Sequence, residues 1–89
     1  MNTVTNEQIE KIVAASEIHV AKVGDKTTLV RMVLPNGFEL LESSSCVDPA
    51  NYDEKIGYEC AMKRIIDHIW ELEGYRLAWK LKEAEGIDS

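Results

Sequence analysis

The stretch that decides the fold is LPNGFELLESSSCVDPANYDEKIG, residues 34–57. Its Pro35-Asn36-Gly37 segment predicts a type I turn followed by a left-handed glycine, a common three-residue hairpin loop. The apolar residues that follow predict a strand over Phe38–Ser43, and Ser43–Val47 predicts a polar connection. Asp48-Pro49 is typical of a helix N-terminus, and a second possible cap lies just inside it at residues 51–54. This stretch therefore predicts a hairpin turn, a strand and the start of a helix.

The residues before this stretch predict a short helix and two further strands. Thr5-Asn6-Glu7-Gln8 fits a capping box, which predicts a helix over about residues 6–15. Glu17–Val23 and Lys26–Leu34 are rich in β-branched residues and flank a tight-turn signal at Gly24-Asp25. Together with the strand after Gly37, they predict a three-stranded antiparallel meander.

The register follows by counting outward from the two turns. Around the second turn, Leu34 faces Phe38, Met32 faces Leu40 and Val30 faces Glu42. If Gly24-Asp25 is a two-residue loop, His19 lies opposite Val30. One face then carries His19, Ala21, Val30, Met32, Leu34, Phe38 and Leu40. The other carries Ile18, Val20, Leu29, Val33 and Leu41. Because both faces are apolar, we expect a helix on one, and the N-terminal helix or a second subunit on the other.

The remaining residues predict one long helix that ends near Glu83. Its apolar residues recur at helical spacing and form a stripe of Tyr58, Met62, Ile65, Ile69, Leu72 and Trp79. Gly74 costs about 1 kcal/mol relative to alanine, so we expect a kink or a close contact there. Residues 85–89 are expected to fray. The predicted fold class is α+β: a short N-terminal helix, a three-stranded antiparallel meander and a long C-terminal helix packed on the sheet, in a single domain of residues 1–89.

Composition excludes several classes of function. A net charge of −6 argues against direct nucleic-acid binding, because phosphate backbones attract clusters of Lys and Arg. The N-terminal residues lack the pattern of a signal peptide, and no apolar run reaches membrane-spanning length. We therefore expect a cytoplasmic protein without a membrane partner, in which Cys46 and Cys60 are reduced thiols. Neither the cysteines nor the histidines have metal-ligand spacing, so we predict no metal site and no cofactor.

The best candidate ligand pocket lies where the serine-rich segment meets the helix start. Hydroxyls and free backbone amides at such a place could hold an anion such as a phosphate, although a simple polar loop with a cap is the alternative. Nearby cations, among them Lys55, would assist, and tyrosines could stack on a base. The candidate ligand-binding residues are Ser43, Ser44, Ser45, Tyr52, Asp53, Lys26, Arg31 and Tyr58.

Two further possibilities concern catalysis and assembly. Cys46 and His19, oriented by Asp48 or Asp53, would suit a nucleophile and a base, but nothing in the sequence places them side by side. We therefore predict no catalytic residues. Apolar and aromatic residues outside the expected core suggest a subunit interface. The candidate interface residues are Leu29, Val33, Leu41, Trp70 and Tyr75.

The segment from Leu34 to Tyr75 resembles a family of small tailed-phage proteins named for gene products of phages N-four and Sf-six. The resemblance rests on five short motifs, the last of which is the most specific: Asn36-Gly37-Phe38, Cys46 with Pro49, Tyr52-Asp53, Ile56-Gly57, and Ile69-Trp70 with Leu72-Glu73-Gly74-Tyr75. Glu71 stands where relatives tend to have Pro, and Ser43-Ser44-Ser45 where they tend to have Gly-Glu-Ser. The resemblance implies a phage or prophage origin and a role inside the infected cell, and it implies no reaction.

These observations favour a non-enzymatic phage accessory protein that takes part in host takeover by binding, as a homo-oligomer in the host cytoplasm. One alternative is a protein that binds a nucleotide or a cyclic-nucleotide signal and so counters host defence. Another is an acidic inhibitor, or nucleic-acid mimic, of a host protein. The expected partners are therefore a second copy of the chain, a small nucleotide or a host protein.

Overall fold

The computed structural model describes residues 3–86, so residues 87–89 of the predicted frayed tail lie outside it. Two helices flank three strands in sequence, and the antiparallel sheet has the order β1-β2-β3. The elements are α1 (Asn6–Ala14), β1 (Glu17–Val23), β2 (Thr27–Val33), β3 (Glu39–Ser45) and α2 (Glu54–Glu85), with a 3₁₀ turn at Pro49–Asn51. Helix α2 packs on β2 and β3, which confirms the predicted α+β fold.

The N-terminal helix begins as its capping signal predicts, but only half of the capping box forms. The Thr5 hydroxyl accepts a hydrogen bond of 3.2 Å from the Gln8 backbone N–H. The Gln8 side chain donates instead to Glu73 Oε1 on α2, at 2.8 Å. This bond ties α1 to the long helix.

The hairpin between β2 and β3 matches the sequence prediction. Leu34 N–H donates to the Phe38 carbonyl at 2.8 Å, and Gly37 has a φ of +90°, which L-residues with a Cβ rarely adopt. Met32 pairs with Leu40 and Val30 with Glu42, as predicted.

The predicted register between β1 and β2 is wrong by one residue. The loop has three residues, Gly24 to Lys26, because Val23 already pairs with Thr27, and Gly24 has a φ of +68°. His19 therefore lies opposite Arg31 instead of Val30. A one-residue slip moves every side chain of the strand to the other face. Two residues expected on the opposite face, Ile18 and Val20, thus share a face with Met32 and Val30, their pairing partners.

The predicted polar connection at Ser43–Val47 is also partly wrong, because its three serines belong to β3. They pair with Leu29, Thr28 and Thr27, and the Ser45 and Thr27 hydroxyls share a hydrogen bond of 2.7 Å. Serine has little intrinsic preference for strands. The start of β2, however, offers backbone and hydroxyl partners to these residues, and this tertiary context outweighs local propensity.

The core lies between α2 and one face of the sheet. Along β2, buried residues alternate with half-buried ones, and Thr28, Val30 and Met32 point towards α2. The buried apolar residues are Ile9, Val30, Met32, Ala61, Met62, Ile65 and Ile69. Helix α1 contributes Ile9 to this same core and contacts α2. The prediction that the N-terminal helix packs on the opposite face of the sheet is therefore wrong.

The opposite side of the sheet, which we call the outer face, carries Leu29, Arg31 and Val33 of β2 with Glu39 and Leu41 of β3. Leu29 and Val33 are half-buried, and Leu41 is 58% exposed. The apolar residues that the sequence predicts for this face from β2 and β3 lie on it, but Ile18 and Val20 of β1 do not, so the face is less apolar than predicted.

Helix α2 is much longer than the sheet it covers. Its 32 residues extend about 48 Å at 1.5 Å per residue, whereas a seven-residue strand extends about 23 Å. From Gly74 to Glu85 only Leu77 is half-buried and the other residues are exposed; we call this segment the arm. Trp79, predicted in the packed stripe, is 43% exposed because it lies on the arm. The helix continues through Gly74, where a Cβ would meet nothing within 4 Å, so the expected close contact is absent. None of the described helices is long and apolar enough to cross a membrane.

Candidate functional site

A small pocket lies where the start of β2, the end of β3 and the first turns of α2 meet. Its volume is about 220 Å³. Five of the eight predicted ligand-binding residues line it: Lys26, Ser44, Ser45, Tyr52 and Asp53. The structure therefore brings together most of the ligand-binding residues that the helix start, the serine run and the nearby charges predict.

The other three predicted ligand residues lie elsewhere. Ser43 pairs with Leu29 on the outer face, and Tyr58 packs against the edge of the core. Arg31 also lies on the outer face, where its Nε donates to Glu39 Oε1 at 2.7 Å. This hydrogen bond and the positive charge of Arg31 hold the pKa of Glu39 below its ordinary value. The same hydrogen bond and the negative charge of Glu39 raise the pKa of Arg31.

One wall of the pocket is set by a close approach of α2 to β2. Gly57 lies so near the strand that a Cβ added to it would come within 2.3 Å of the Thr28 hydroxyl oxygen. Thr28 is fully buried, and its hydroxyl shares a hydrogen bond of 2.9 Å with the Tyr52 hydroxyl. Lys22 Nζ lies 4.6 Å from the centre of the Tyr52 ring, which is a favourable cation–π distance. Tyr52 is thus held at both its hydroxyl and its ring.

Sequence reasoning missed Thr28, Lys22 and Gly57 as parts of this site. The glycine in the first turn of the helix is a signal for such a contact, because a close approach to a strand leaves no room for a Cβ. Thr28 shares a face with Val30 by alternation along β2, but nothing in the sequence shows that α2 approaches it there. The position of Lys22 depends on the register of β1 and β2.

The helix start offers little to a bare anion. Asp53 Oδ1 accepts hydrogen bonds from the backbone N–H groups of Lys55 and Ile56, at 2.9 and 3.3 Å. Asp48 Oδ1 accepts from Ala50 N–H at 2.9 Å. Carboxylates therefore already satisfy amides that the sequence offers to a phosphate. What remains in the pocket is a group of hydroxyls, the Tyr52 ring and the Lys26 ammonium, a set better suited to a polar, largely uncharged group than to phosphate alone.

The structure does not bring the candidate catalytic pair together. His19 lies on the outer face of β1, with its Nε2 3.6 Å from Glu17 Oε2. Cys46 follows β3, and its thiol donates to the Asp48 carbonyl at 3.2 Å. His68 contacts Glu42, with Nε2 3.2 Å from Oε2. Within residues 3–86, no group of His, Cys, Asp and Glu is arranged to hold a metal ion.

The predicted interface residues fall on three separate surfaces. Leu29, Val33 and Leu41 share the outer face, whereas Trp70 packs against the core beside α1. Tyr75 lies on the arm, 66% exposed, and its ring meets Trp79 edge to face with centroids 6.4 Å apart.

Comparisons with known proteins give one match. No curated protein matches the chain, and no solved structure does. A family model matches residues 4–81, nearly all of the described chain and a longer segment than the motifs recognised in the sequence. The chain therefore belongs to the phage protein family of N4 Gp49 and phage Sf6 gene 66.

Proposed function

We propose that this phage protein acts by binding, as a homo-oligomer inside the infected cell. The observation that carries the proposal is the arm of α2, which presents Tyr75, Ala78 and Trp79 on one apolar surface. Exposed Leu81 adds to the apolar area of the arm. Large aromatic residues are enriched in protein interfaces and depleted among solvated surface residues.

The arm has a physical reason to pair with a second copy. Its side chains are exposed over about three turns, apart from Leu77, and isolated helices of that length are marginal in water. Its exposed Tyr75 and Trp79 surface is about 200 Å² per copy, from typical aromatic side-chain areas. Burying it would contribute about 5 kcal/mol per copy. Two copies therefore gain about 10 kcal/mol. Since association costs about 4–15 kcal/mol, the net free energy lies within a few kcal/mol of zero, so any dimer formed by these residues alone is weak and depends on protein concentration. We infer a reversible dimer that forms through the arms.

The test is size-exclusion chromatography with light scattering over a range of protein concentrations. The wild-type chain is expected to form a dimer, and a Tyr75→Ser/Trp79→Ser variant to remain monomeric with unchanged helix content. Leu41→Ser on the outer face is the matched control, because Leu41 is similarly exposed but remote from the arm. A strictly monomeric wild-type chain at high micromolar concentration would contradict self-association. Loss of the dimer in the Leu41→Ser variant alone would place the interface on the outer face instead.

The pocket supports a second candidate function, the binding of a nucleotide or cyclic-nucleotide signal to counter host defence. Its support is the fixed Tyr52 ring beside the Ser44 and Lys26 side chains. A base could stack on such a ring, while hydroxyls and the ammonium contact the sugar and phosphate. With the helix amides already capped, the base and sugar would supply most of the binding energy.

A thermal-shift screen against nucleotides and cyclic dinucleotides tests this second candidate. Binding raises the melting temperature in a concentration-dependent manner, and the Tyr52→Ala variant should lose the response. Tyr58→Ala, at the core edge outside the pocket, is the matched control and should keep it. The absence of a shift with every phosphate compound would exclude this function.

The third prediction, mimicry of a nucleic acid, rests on the net charge of −6 alone. A host partner captured through such charge would dissociate steeply as salt is raised. A partner whose binding is insensitive to salt would argue against mimicry.

A further inference from the structure

Both cysteines of the chain line the same pocket, although they come from different elements. Cys46 follows the last residue of β3, and Cys60 lies in the second turn of α2. Neither is in a disulfide; Cys46 is half-buried and Cys60 is exposed. The fold has therefore placed two free thiols around one small, solvent-accessible space.

The side-chain contacts of α2 explain why Cys60 faces the end of β3. Residues four apart on a helix share a face, so Cys60, Arg64 and His68 form one row. Arg64 donates to the Ser43 carbonyl and, at 3.3 Å, to Glu42 Oε1. His68 Nε2 lies 3.2 Å from the other oxygen of Glu42. Cys60 lies one turn before Arg64 in this row and therefore faces the point where the chain leaves β3.

Cys46 is held at that point from the other side. Its backbone N–H donates to the Lys26 carbonyl at 3.0 Å, which ends the β2–β3 ladder. Its thiol donates to the Asp48 carbonyl at 3.2 Å and more weakly to the Lys26 carbonyl at 3.6 Å. The segment from Cys46 to Asp53 contains only a 3₁₀ turn between β3 and α2, so the thiol can turn towards α2 without breaking a helix or a strand.

We propose that Cys46 and Cys60 form a redox-active dithiol that closes to an intramolecular disulfide. The oxidant is a small disulfide such as glutathione disulfide. The exposed Cys60 thiolate attacks one of its sulfurs, forms a mixed disulfide and releases one thiolate. The Cys46 thiolate then attacks the Cys60 sulfur and releases the second. Two protein thiols lose two protons and two electrons, and one glutathione disulfide becomes two glutathione thiols. The new bond ties the residues after β3 to α2 and narrows the pocket.

The test is oxidation of the fully reduced chain by glutathione disulfide at low protein concentration. The expected product is a monomer that is lighter by two hydrogens and does not react with maleimide, because it has no free thiol. Proteolysis should yield a disulfide-linked peptide that contains both cysteines. Cys46→Ser and Cys60→Ser should each stop at the mixed disulfide with glutathione. The matched control is Cys46→Ser/Ser43→Cys, which keeps two thiols but moves one to the outer face, and it should not close. Circular dichroism establishes that each variant is folded.

Two results would overturn the proposal. One is a wild-type chain that accumulates the mixed disulfide at Cys60 without closing. The other is closure at the same rate in the Ser43→Cys control, because that outcome would mean that the shared pocket has no role in pairing the thiols.

Discussion

Replacing Gly57 with alanine tests the close approach of α2 to β2. In an exposed helix position this change would stabilise the protein by about 1 kcal/mol. Here the new Cβ would lie 2.3 Å from the Thr28 hydroxyl oxygen and 2.8 Å from the Thr28 Cβ. The hydroxyl could rotate away, but the Cβ is fixed to the strand. The helix must therefore move outward, and we expect a packing cost near 3 kcal/mol, the upper end of the usual range.

The expected net effect of Gly57→Ala is a loss of about 2 kcal/mol in the free energy of unfolding, the difference between these two estimates. Gly74→Ala is the matched control on the same helix, because a Cβ at Gly74 meets nothing within 4 Å. It should raise the free energy of unfolding by about 1 kcal/mol. The opposite signs of two identical substitutions separate packing from helix propensity.

The assay is urea unfolding followed by circular dichroism, at one protein concentration because self-association would shift the midpoint. In a thermal melt of a chain of this size, the same loss of about 2 kcal/mol corresponds to a decrease of roughly 8–16 °C in melting temperature. The reasoning is refuted if Gly57→Ala is as stable as the wild type with an unchanged urea dependence. It is also refuted if Gly57→Ala costs as much free energy of unfolding in a Thr28→Gly background, where the contacted Cβ is absent, as it does in the wild type.

Three further predictions concern polar contacts. Asp53→Ala removes the N-cap of α2 and should lower the free energy of unfolding by about 1 kcal/mol in urea titrations. Glu73→Ala removes a nearly buried carboxylate that accepts from Gln8, and should cost about 1–3 kcal/mol in the same assay. Arg31→Ala should raise the pKa of Glu39 towards its ordinary value, as read from the carboxyl carbon by NMR titration. Because the pKa of Glu39 is lowered in the folded state, its pair with Arg31 stabilises fully above the unfolded-state pKa. That contribution is lost as pH falls through the folded-state pKa.

Each of these predictions has a result that contradicts it. Asp53→Asn should retain most of the cap, so an equal loss in both Asp53 variants would point to another cause. An unchanged stability after Glu73→Ala would mean that its bond to α1 has no net effect. A Glu39 pKa that stays low without Arg31 would assign its shift to another group.

The local signals in the sequence were sufficient for most of the fold. Thr5 caps α1 as predicted, whereas α2 starts at the second of the two caps that the sequence offers, Asp53, because Asp48-Pro49 begins only a 3₁₀ turn. Gly37 marks a turn that needs a positive φ. These features depend on residues within four positions of one another. The apolar period likewise identified Met62, Ile65 and Ile69, which are buried in the structure.

The tertiary structure decided the rest, because the deciding contacts join distant residues. A one-residue difference in the Gly24 loop reversed the faces of β1, and pairing with β2 drew Ser43–Ser45 into a strand. The sequence determined the elements, their order and five of the pocket residues. Only the packed chain brought Thr28 against Gly57 and Cys60 beside the end of β3. The physical reason is that caps and turns are satisfied locally, whereas register and close approach minimise a free energy that depends on the whole sheet and its helix.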